Sequence, residues 1–487
     1  MQEKLKIGII QNAPLTADLS NNLRQIVQGY RECLDHGANL IIAPACALCG
    51  ADLGNLSERL SFARQAEAAL ESLARELGDT PLITASYVPM PVLDDGHGYF
   101  PGNGLEEPIL PGVLTPYLLE NGDITELEEP IDIGAYRVFV DLGDELDIIE
   151  AEGADLIVHL NTEPWYAGAP RKQEDNYQWE AKEMGMPVVW VNHIGTSDGN
   201  IYAGGSAVFN PAGNTICRLP FFETCNKVID LKSRKKAIGL PLEEETLCMA
   251  LERGIRDTVR NNGYSGVCLD LTHPNADLLA ALCVEALGCS NVVGITSDED
   301  SHIPAALKIS CTKLPTAPLL DMADTLVPDN SKSLKSRLNA AVQFSYAESR
   351  GLMYLCPLTR SNIMLGNFDQ YGDSCGHFAP LGNLYEVDIF MLRRYLAGKY
   401  TDLFGTIQEP SADSDKNDLI IHELADLNIS ASTLLNDHVC PYPENEVRLI
   451  QRKIIASALK RTQLPMVLHT DPRSEQLVIP VTHRLND

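Results

Sequence analysis

Two hydrophobic periods alternate along this chain. Ile7 to Gln11 and Ala38 to Ile42 are short, nearly continuous apolar runs of the kind that form buried strands. Between them, Asn21 to His36 spaces Leu23, Ile26, Val27, Tyr30, Cys33 and Leu34 at helical intervals. Leu56 to Leu77 predicts a long amphipathic helix, and further strands are expected at Pro81 to Tyr87, Arg137 to Asp141, Asp155 to Leu160 and Val188 to Asn192. The turn Asn210-Pro211-Ala212-Gly213-Asn214 predicts a hairpin over Ser206 to Arg218. Strands alternating with helices make this an α/β protein.

The pattern breaks once and then resumes. A basic cluster, Lys232-Ser233-Arg234-Lys235-Lys236, precedes Gly239-Leu240-Pro241 and the acidic Glu243-Glu244-Glu245, which reads as an interdomain connection. The expected organisation is a domain over residues 1–230, a linker over 231–245 and a second domain over 246–487. In the second, helices are expected at Thr246 to Asn262, Ala276 to Leu287 and Ser333 to Ser349, with strands at Gly266 to Leu271 and Asn291 to Thr296. A length of 487 residues suits two to three domains.

Composition narrows the class of partner. Thirty-eight Lys+Arg against 67 Asp+Glu leave a formal charge of −29, which repels phosphate backbones and anionic lipid, so neither nucleic acid nor a membrane is expected as a partner. No apolar leader or long apolar span is evident, and the 13 cysteines are odd in number and scattered through apolar segments such as Val267-Cys268-Leu269. A cytoplasmic protein with reduced thiols is expected.

Several segments resemble one family. Gly37-Ala38-Asn39-Leu40-Ile41-Ile42-Ala43-Pro44, Gly153 to Asn161, Pro187 to His193 and Gly204-Gly205-Ser206 resemble the nitrilase-type glutaminase half of glutamine-dependent NAD synthetases. Tyr371-Gly372-Asp373-Ser374-Cys375-Gly376-His377-Phe378-Ala379-Pro380-Leu381-Gly382-Asn383-Leu384-Tyr385, with Pro410-Ser411-Ala412-Asp413 and Ile479-Pro480-Val481-Thr482, resembles the ATP-dependent ligase half. The resemblance implies a nitrilase-like αββα sandwich followed by a Rossmann-like parallel-sheet domain. It also implies an enzyme that strips ammonia from glutamine in one half and, in the other, uses ATP and Mg²⁺ to amidate nicotinic acid adenine dinucleotide.

The residues that such chemistry needs are largely missing. A glutaminase of this type uses a thiol nucleophile, a carboxylate base and a cation at the developing oxyanion. By the resemblance the base position falls on Ala45, in Pro44-Ala45-Cys46, and the nucleophile position on Gly143, just past the strand Arg137 to Leu142. No cysteine lies between Cys49 and Cys217 and no lysine between Lys6 and Lys172, so a shift of register restores neither the thiol nor the lysine loop. Arg59, Arg64 and Arg75, the arginines before that strand, read as the polar face of a helix. Cys46-Ala47-Leu48-Cys49 is a CxxC on the loop that would face the vacated pocket, and buried thiols are its simplest reading.

The ligase half departs in the same way. The family cradles pyrophosphate in a glycine-rich loop at a helix N-terminus. Here the corresponding turn is Thr272-His273-Pro274-Asn275-Ala276-Asp277: it has no glycine, Pro274 removes a donor, and Asn275 is expected to cap the helix. Further on, Leu358-Thr359-Arg360-Ser361-Asn362 keeps a cation as Arg360 but has Asn362 where the resemblance implies a metal-binding carboxylate. Arg337 matches one of a pair of family arginines, Asn339 stands for the second, and Glu386 replaces a lysine. The candidate nucleotide-binding residues are Thr272, His273, Asp277, Arg337, Arg360 and Asp373, with ATP and Mg²⁺ as conceivable ligands and Asp277 as a conceivable metal contact. The reading these residues favour is a noncatalytic relative acting as scaffold or regulator, as a homo-oligomer or paired with an active relative. A repurposed ATP-dependent ligase and residual ammonia-dependent NAD synthesis are the alternatives.

Overall fold

The computed structural model describes residues 5–89, 112–143, 151, 153–160, 162–233, 237, 239–297, 301–407, 409, 411–436 and 441–472. Of the segments singled out above, Arg234 to Lys236, Asn161, Pro410 and Ile479 to Thr482 lie outside the described residues. The chain divides into two compact units, Met1–Pro241 and Leu242–Asp487.

In the first unit β1 (Lys6–Gln11), α1 (Leu19–Asp35), β2 (Leu40–Ala45), α2 (Leu60–Glu76), β3 (Leu82–Pro89), β4 (Gly112–Glu120) and β5 (Asp123–Glu126) lead into a second series. That series is β6 (Ile131–Ile133), β7 (Tyr136–Asp141), β8 (Leu156–His159), α3 (Ala169–Met184), β9 (Val188–Trp190), β10 (Ile194–Ser197), β11 (Asn200–Ala203), β12 (Ala207–Phe209), β13 (Thr215–Arg218) and β14 (Cys225–Asp230). They form two six-stranded sheets, ordered β14-β1-β2-β3-β4-β5 and β13-β12-β9-β8-β7-β6.

Side-chain alternation assigns the faces. Ile7, Ile9, Leu40 and Ile42 of one sheet share a core with Leu156, Val158, Val189 and Val208 of the other. The neighbouring Ile10 and Ile41 face Ile26, Tyr30, Leu70 and Leu73 of α1 and α2, whereas Ile157, Val188 and Trp190 face Tyr177 and Ala181 of α3. Each central strand is therefore covered on both sides, which is why its sequence is apolar throughout rather than alternating. The result is an αββα sandwich. Gly8 belongs to this arrangement because a Cβ there would stand 2.8 Å from the Cys33 Cβ of α1. The hairpin over Ser206 to Arg218 forms as expected from β12 and β13. The short polar strands β5, β6, β10 and β11 and the helix α3 are not foreseen by periodicity; α3 opens on Gly168-Ala169-Pro170, with the Pro inside its first turn.

The second unit opens with α4 (Glu243–Asn261), β15 (Gly266–Asp270), α5 (Ala276–Leu287), β16 (Val292–Thr296), α6 (Ile303–Leu307), β17 (Ser310–Lys313), α7 (Ala317–Leu326), α8 (Ser331–Ser349) and β18 (Leu352–Tyr354). The four strands are parallel in the order β17-β16-β15-β18. From β15 the chain passes to β16 on one side, and α8 later brings it back to β18 on the other. The topological switch between β15 and β18 is where a sheet of this kind leaves a crevice at its strand C-termini. Behind it, α9 (Arg360–Leu365), β19 (Phe378–Ala379), α10 (Glu386–Ala397), α11 (Thr401–Phe404), α12 (Ala412–Ile421), α13 (Ala431–Asn436), α14 (Glu444–Ala456), α15 (Ala458–Arg461) and β20 (Met466–Val467) complete the unit. Ile363, Ile420, Ile421, Ala425, Leu434, Val447 and Ile450 form their common core. A π-helical turn, His422–Asp426, continues α12. Among the described residues no helix is long and apolar enough to cross a membrane.

One buried ion cluster ties β7, β8 and α3 together. His159 is almost wholly enclosed; its Nε2 lies 2.7 Å from Glu180 Oε1 and its Nδ1 2.9 Å from Asp141 Oδ2. Burial disfavours the imidazolium, yet the Asp141 and Glu180 carboxylates outweigh it and push the His159 pKa up to about 9. A folded pKa above the unfolded value stabilises the protein at pH below about 6.5, the usual histidine value. That contribution is lost as pH rises through about 9. Urea unfolding between pH 6 and pH 9.5 is expected to show stability falling with pH by an amount on the order of 3 kcal/mol, and Glu180→Gln is expected to flatten the fall. An unchanged slope in that variant would assign the pH dependence elsewhere.

Candidate functional site

In the first unit three strand ends converge. Ala45 N donates to Leu160 O at 3.0 Å, Leu160 N donates to Asp141 O at 3.0 Å, and Gly143 N donates to Asp141 Oδ1 at 3.0 Å. The two positions assigned from the sequence to base and nucleophile thus do come to the same end of the two sheets, but they bring a methyl group and a hydrogen atom. Neither can accept or deliver a proton. Arg59, Arg64 and Arg75 are exposed, on or just before α2, and supply no cation there. Phe139, which could have filled the vacated space, points the other way, into the layer against α3.

The side chains around this end are mostly engaged in holding loops. Asp52 accepts from Asn200 Nδ2 and from the Tyr202 hydroxyl, each at 3.0 Å. The Tyr202 ring lies 4.3 Å from that of His193, which is fully buried and pushed down to about 4, so that it is a neutral imidazole. In Gly204-Gly205-Ser206, Ser206 Oγ donates to Gln11 Oε1 at 2.8 Å, while Gln11 Nε2 donates to the carbonyls of Pro220 and Glu223. Gly205, at φ +70°, admits no side chain, since a Cβ would stand 2.3 Å from the Phe221 ring. This motif is conformational in purpose.

In the second unit the crevice between β15 and β18 is a cavity of about 380 Å³. Asp270 and Thr272 at the end of β15, His273 and Pro274 in the turn, Asn339 and Gln343 of α8, Tyr354 of β18 and Asp373 contribute to its walls. Among the described residues that line it there is no lysine or arginine. Asp270 is the centre of a polar network: its Oδ1 accepts from Thr272 N at 2.8 Å and Thr272 Oγ1 at 2.7 Å, and its Oδ2 accepts from Gln343 Nε2 at 2.9 Å. Gln343 in turn accepts from the Tyr354 hydroxyl at 2.5 Å. Sequence reading missed Gln343 and Tyr354; the available signal was that Gln343 follows Asn339 by one helical turn and so shares its face.

Of the six candidate nucleotide contacts, Thr272, His273 and Asp373 line the crevice. Burial lowers the His273 pKa, and its Nδ1 accepts from Asn275 N at 3.2 Å, so it is a neutral acceptor in the turn. Asp373 accepts from Ser336 Oγ at 2.8 Å. Asp277, Arg337 and Arg360 are not among the residues that line the crevice. Arg337 Nε donates to Gln370 O at 2.9 Å, which fastens α8 to the loop before Tyr371.

The Asp277 carboxylate is held from two sides by Arg393 of α10, Nη2 at 2.6 Å and Nε at 3.1 Å. It also accepts from Leu278 N at 2.7 Å, in the first turn of α5. Arg393 further donates to Pro274 O at 2.8 Å and to Asn275 Oδ1 at 3.3 Å. Asn275 does stand at the N-cap position, but the capping role expected of its side chain does not occur, because its Oδ1 faces Arg393 instead. The anion at this helix N-terminus is the chain's own carboxylate, and Arg393 neutralises it.

Arg360 is withdrawn more deeply. Its Nη2 lies 2.5 Å from Asp426 Oδ1, and the same carboxylate accepts from the Tyr385 hydroxyl and lies 3.2 Å from His422 Nδ1 in the π-helical turn. Burial works against ionisation of Asp426, but His422, Arg360 and Tyr385 hold its carboxyl below the usual carboxylate range. Asn362 accepts from Thr359 N and Oγ1 and closes a capping box on α9. Arg360 is thus ion-paired with Asp426 and does not line the crevice, whereas Asn362, which caps α9, does.

Comparisons with known proteins agree with this architecture. Residues 247–419 match the NAD synthase family model. The chain is 25% identical over 473 residues to a glutamine-dependent NAD(+) synthetase of Synechocystis, covering 84% of each chain, and 23% identical over 446 residues to that of Rhodobacter capsulatus, covering 81% of this chain and 79% of the other. Among solved structures, the glutamine-dependent NAD(+) synthetase of Cytophaga hutchinsonii superposes with a TM-score of 0.80 at 14% identity, covering 99% of this chain and 98% of the other. That of Acinetobacter baumannii, solved with adenosine diphosphate, gives 0.73 at 17% identity and covers 98% of each. At such identities the structural matches speak for the fold.

If Asp426 serves to neutralise a buried arginine, Asp426→Asn is expected to destabilise the protein by about 3–5 kcal/mol, because Arg360 is left charged and enclosed. The double variant Arg360→Met with Asp426→Leu is expected to recover much of the loss. Chemical unfolding of the three proteins checks this, and equal stability of Asp426→Asn and the parent would refute it.

Proposed function

Because both units of the chain are related to the glutamine-dependent NAD synthetases, we propose that it is a catalytically inactive member of that family, working as a scaffold or regulator rather than as a ligase. The observation that carries this reading is the Arg393–Asp277 pair at the start of α5. A phosphate arriving at this helix N-terminus meets a carboxylate already in place, with its counter-ion already engaged.

Magnitudes support the same conclusion. Two like charges about 5 Å apart repel by about 3 kcal/mol at an effective dielectric of about 20. A triphosphate in the β15–β18 crevice would face Asp270 and Asp373 with no lining cation to offset them. A micromolar ligand has only about 8 kcal/mol of binding free energy in total. Asp277, the carboxylate at the start of α5, is engaged by Arg393 rather than left for a Mg²⁺ ion. The ATP and Mg²⁺ chemistry of the family therefore does not fit the residues present.

In the first unit, the methyl of Ala45 and the bare backbone of Gly143 support the absence of glutamine hydrolysis on independent grounds. A partner is the natural consequence, either a second copy or an active relative. The repurposed-enzyme reading keeps one observation in its favour: the crevice is open, and its Asp270, Asn339, Gln343 and Tyr354 groups suit an uncharged or cationic ligand better than a phosphate.

Calorimetric titration of the full chain with ATP and Mg²⁺, with and without nicotinic acid adenine dinucleotide, is expected to give no heat up to millimolar ligand. Incubation with glutamine is expected to release no ammonia. Micromolar nucleotide binding, or NAD formation with excess ammonium, would overturn the proposal.

A further inference from the structure

Cys46 and Cys49 are two of the protein's most enclosed thiols, 3% and 0% exposed, and the structure sets them against each other. Cys46 follows β2 in the left-handed region at φ +57°, an uncommon conformation for a residue with a Cβ. The tight turn it starts is closed by Gly50 N donating to Cys46 O at 2.8 Å. This i→i+4 bond closes a single helical-type turn, in which residues i and i+3 are neighbours on one face. The thiols meet: the Cys46 S–H donates to the Cys49 sulfur, which also receives the backbone N–H of Tyr87 from β3. Those donors draw Cys49 towards the thiolate, while Cys46 stays a thiol. Leu53 and Phe62 pack around the pair.

We propose that Cys46 and Cys49 form an oxidisable dithiol, a modification site that closes to an intramolecular disulfide when the protein meets a peroxide. Cys49 sulfur attacks one oxygen of hydrogen peroxide, the O–O bond breaks, and the departing hydroxide takes the thiol proton and leaves as water. Cys46 sulfur then attacks the resulting sulfenyl sulfur, and the expelled hydroxide leaves as a second water with the Cys46 proton. Two thiols and one peroxide become one disulfide and two waters. The pair stands beside the vacated Ala45 position, and its oxidation needs nothing from the second unit. Its fate is therefore independent of whether that unit binds a ligand.

The test compares this pair with Cys289 and Cys311, which are exposed single thiols. The full chain is treated with hydrogen peroxide, quenched, denatured, alkylated and digested. The expected result is a Cys46–Cys49 peptide lacking two hydrogens and resistant to alkylation until reduced, formed to at least tenfold greater extent than any other disulfide. Cys46→Ser is expected to stop the reaction at a Cys49 sulfenic acid that a cyclic dione traps. Should that variant fail to fold, equilibration of the parent in glutathione buffers provides the second reading, with disulfide fraction following a two-electron transition that thiol reductant reverses. Alkylatable Cys46 and Cys49 after peroxide has oxidised Cys289 and Cys311, or separate sulfinic acids at the two positions, would overturn the proposal.

Discussion

A helix N-terminus can neutralise one anion well, and in this protein the anion at the start of α5 is Asp277, held bidentately by the Nε and Nη2 of Arg393. The contact joins α5, which follows the first strand of the parallel sheet, to α10, which lies more than a hundred residues further on. It fixes the charge at the N-terminus of α5. The same pairing recurs at Arg360 and Asp426, where a cation from one helix is enclosed with a carboxylate from a π-helical turn. In both places a charge whose position recommends it for phosphate is held by the protein for itself.

The first unit reaches a similar end by deletion rather than by pairing. Its two sheets still bring β2, β7 and β8 to a common edge through the backbone bonds of Ala45, Leu160 and Asp141. That convergence is a property of strand order and register, so it does not depend on which side chains Ala45 and Gly143 carry. Of the buried polar residues nearby, Asn192, Ser206 and Gln11 join loops by hydrogen bonds, and the His193 ring packs against Tyr202.

Peripheral elements were the least legible part of the fold. β5 and β6 are short and polar, β10 and β11 pair only with each other, and α3 carries the polar run Arg171-Lys172-Gln173-Glu174-Asp175-Asn176 at its start. Such segments owe their conformation to the elements they touch, and an apolar period cannot announce them. The central strands were legible because they are covered on both faces, and α5 because it is a continuous apolar run of helical length.

What the sequence by itself determined is the α/β character, the positions of the central strands and the residue types at each position, such as Ala45 and Gly143, which carry neither thiol nor carboxylate. Those follow from residue type and spacing alone, and no packing can supply an atom the side chain lacks. The roles of Arg360, Asp277 and Asn275 were decided only by the tertiary structure. Arg360 and Asp277 stood in the sequence as candidate ligands, and Asn275 as a helix cap. Partners far along the sequence, Asp426 for one and Arg393 for the other two, turned them into structural contacts, because a charge or amide being enclosed takes the nearest complementary group, and nearness is set by the fold.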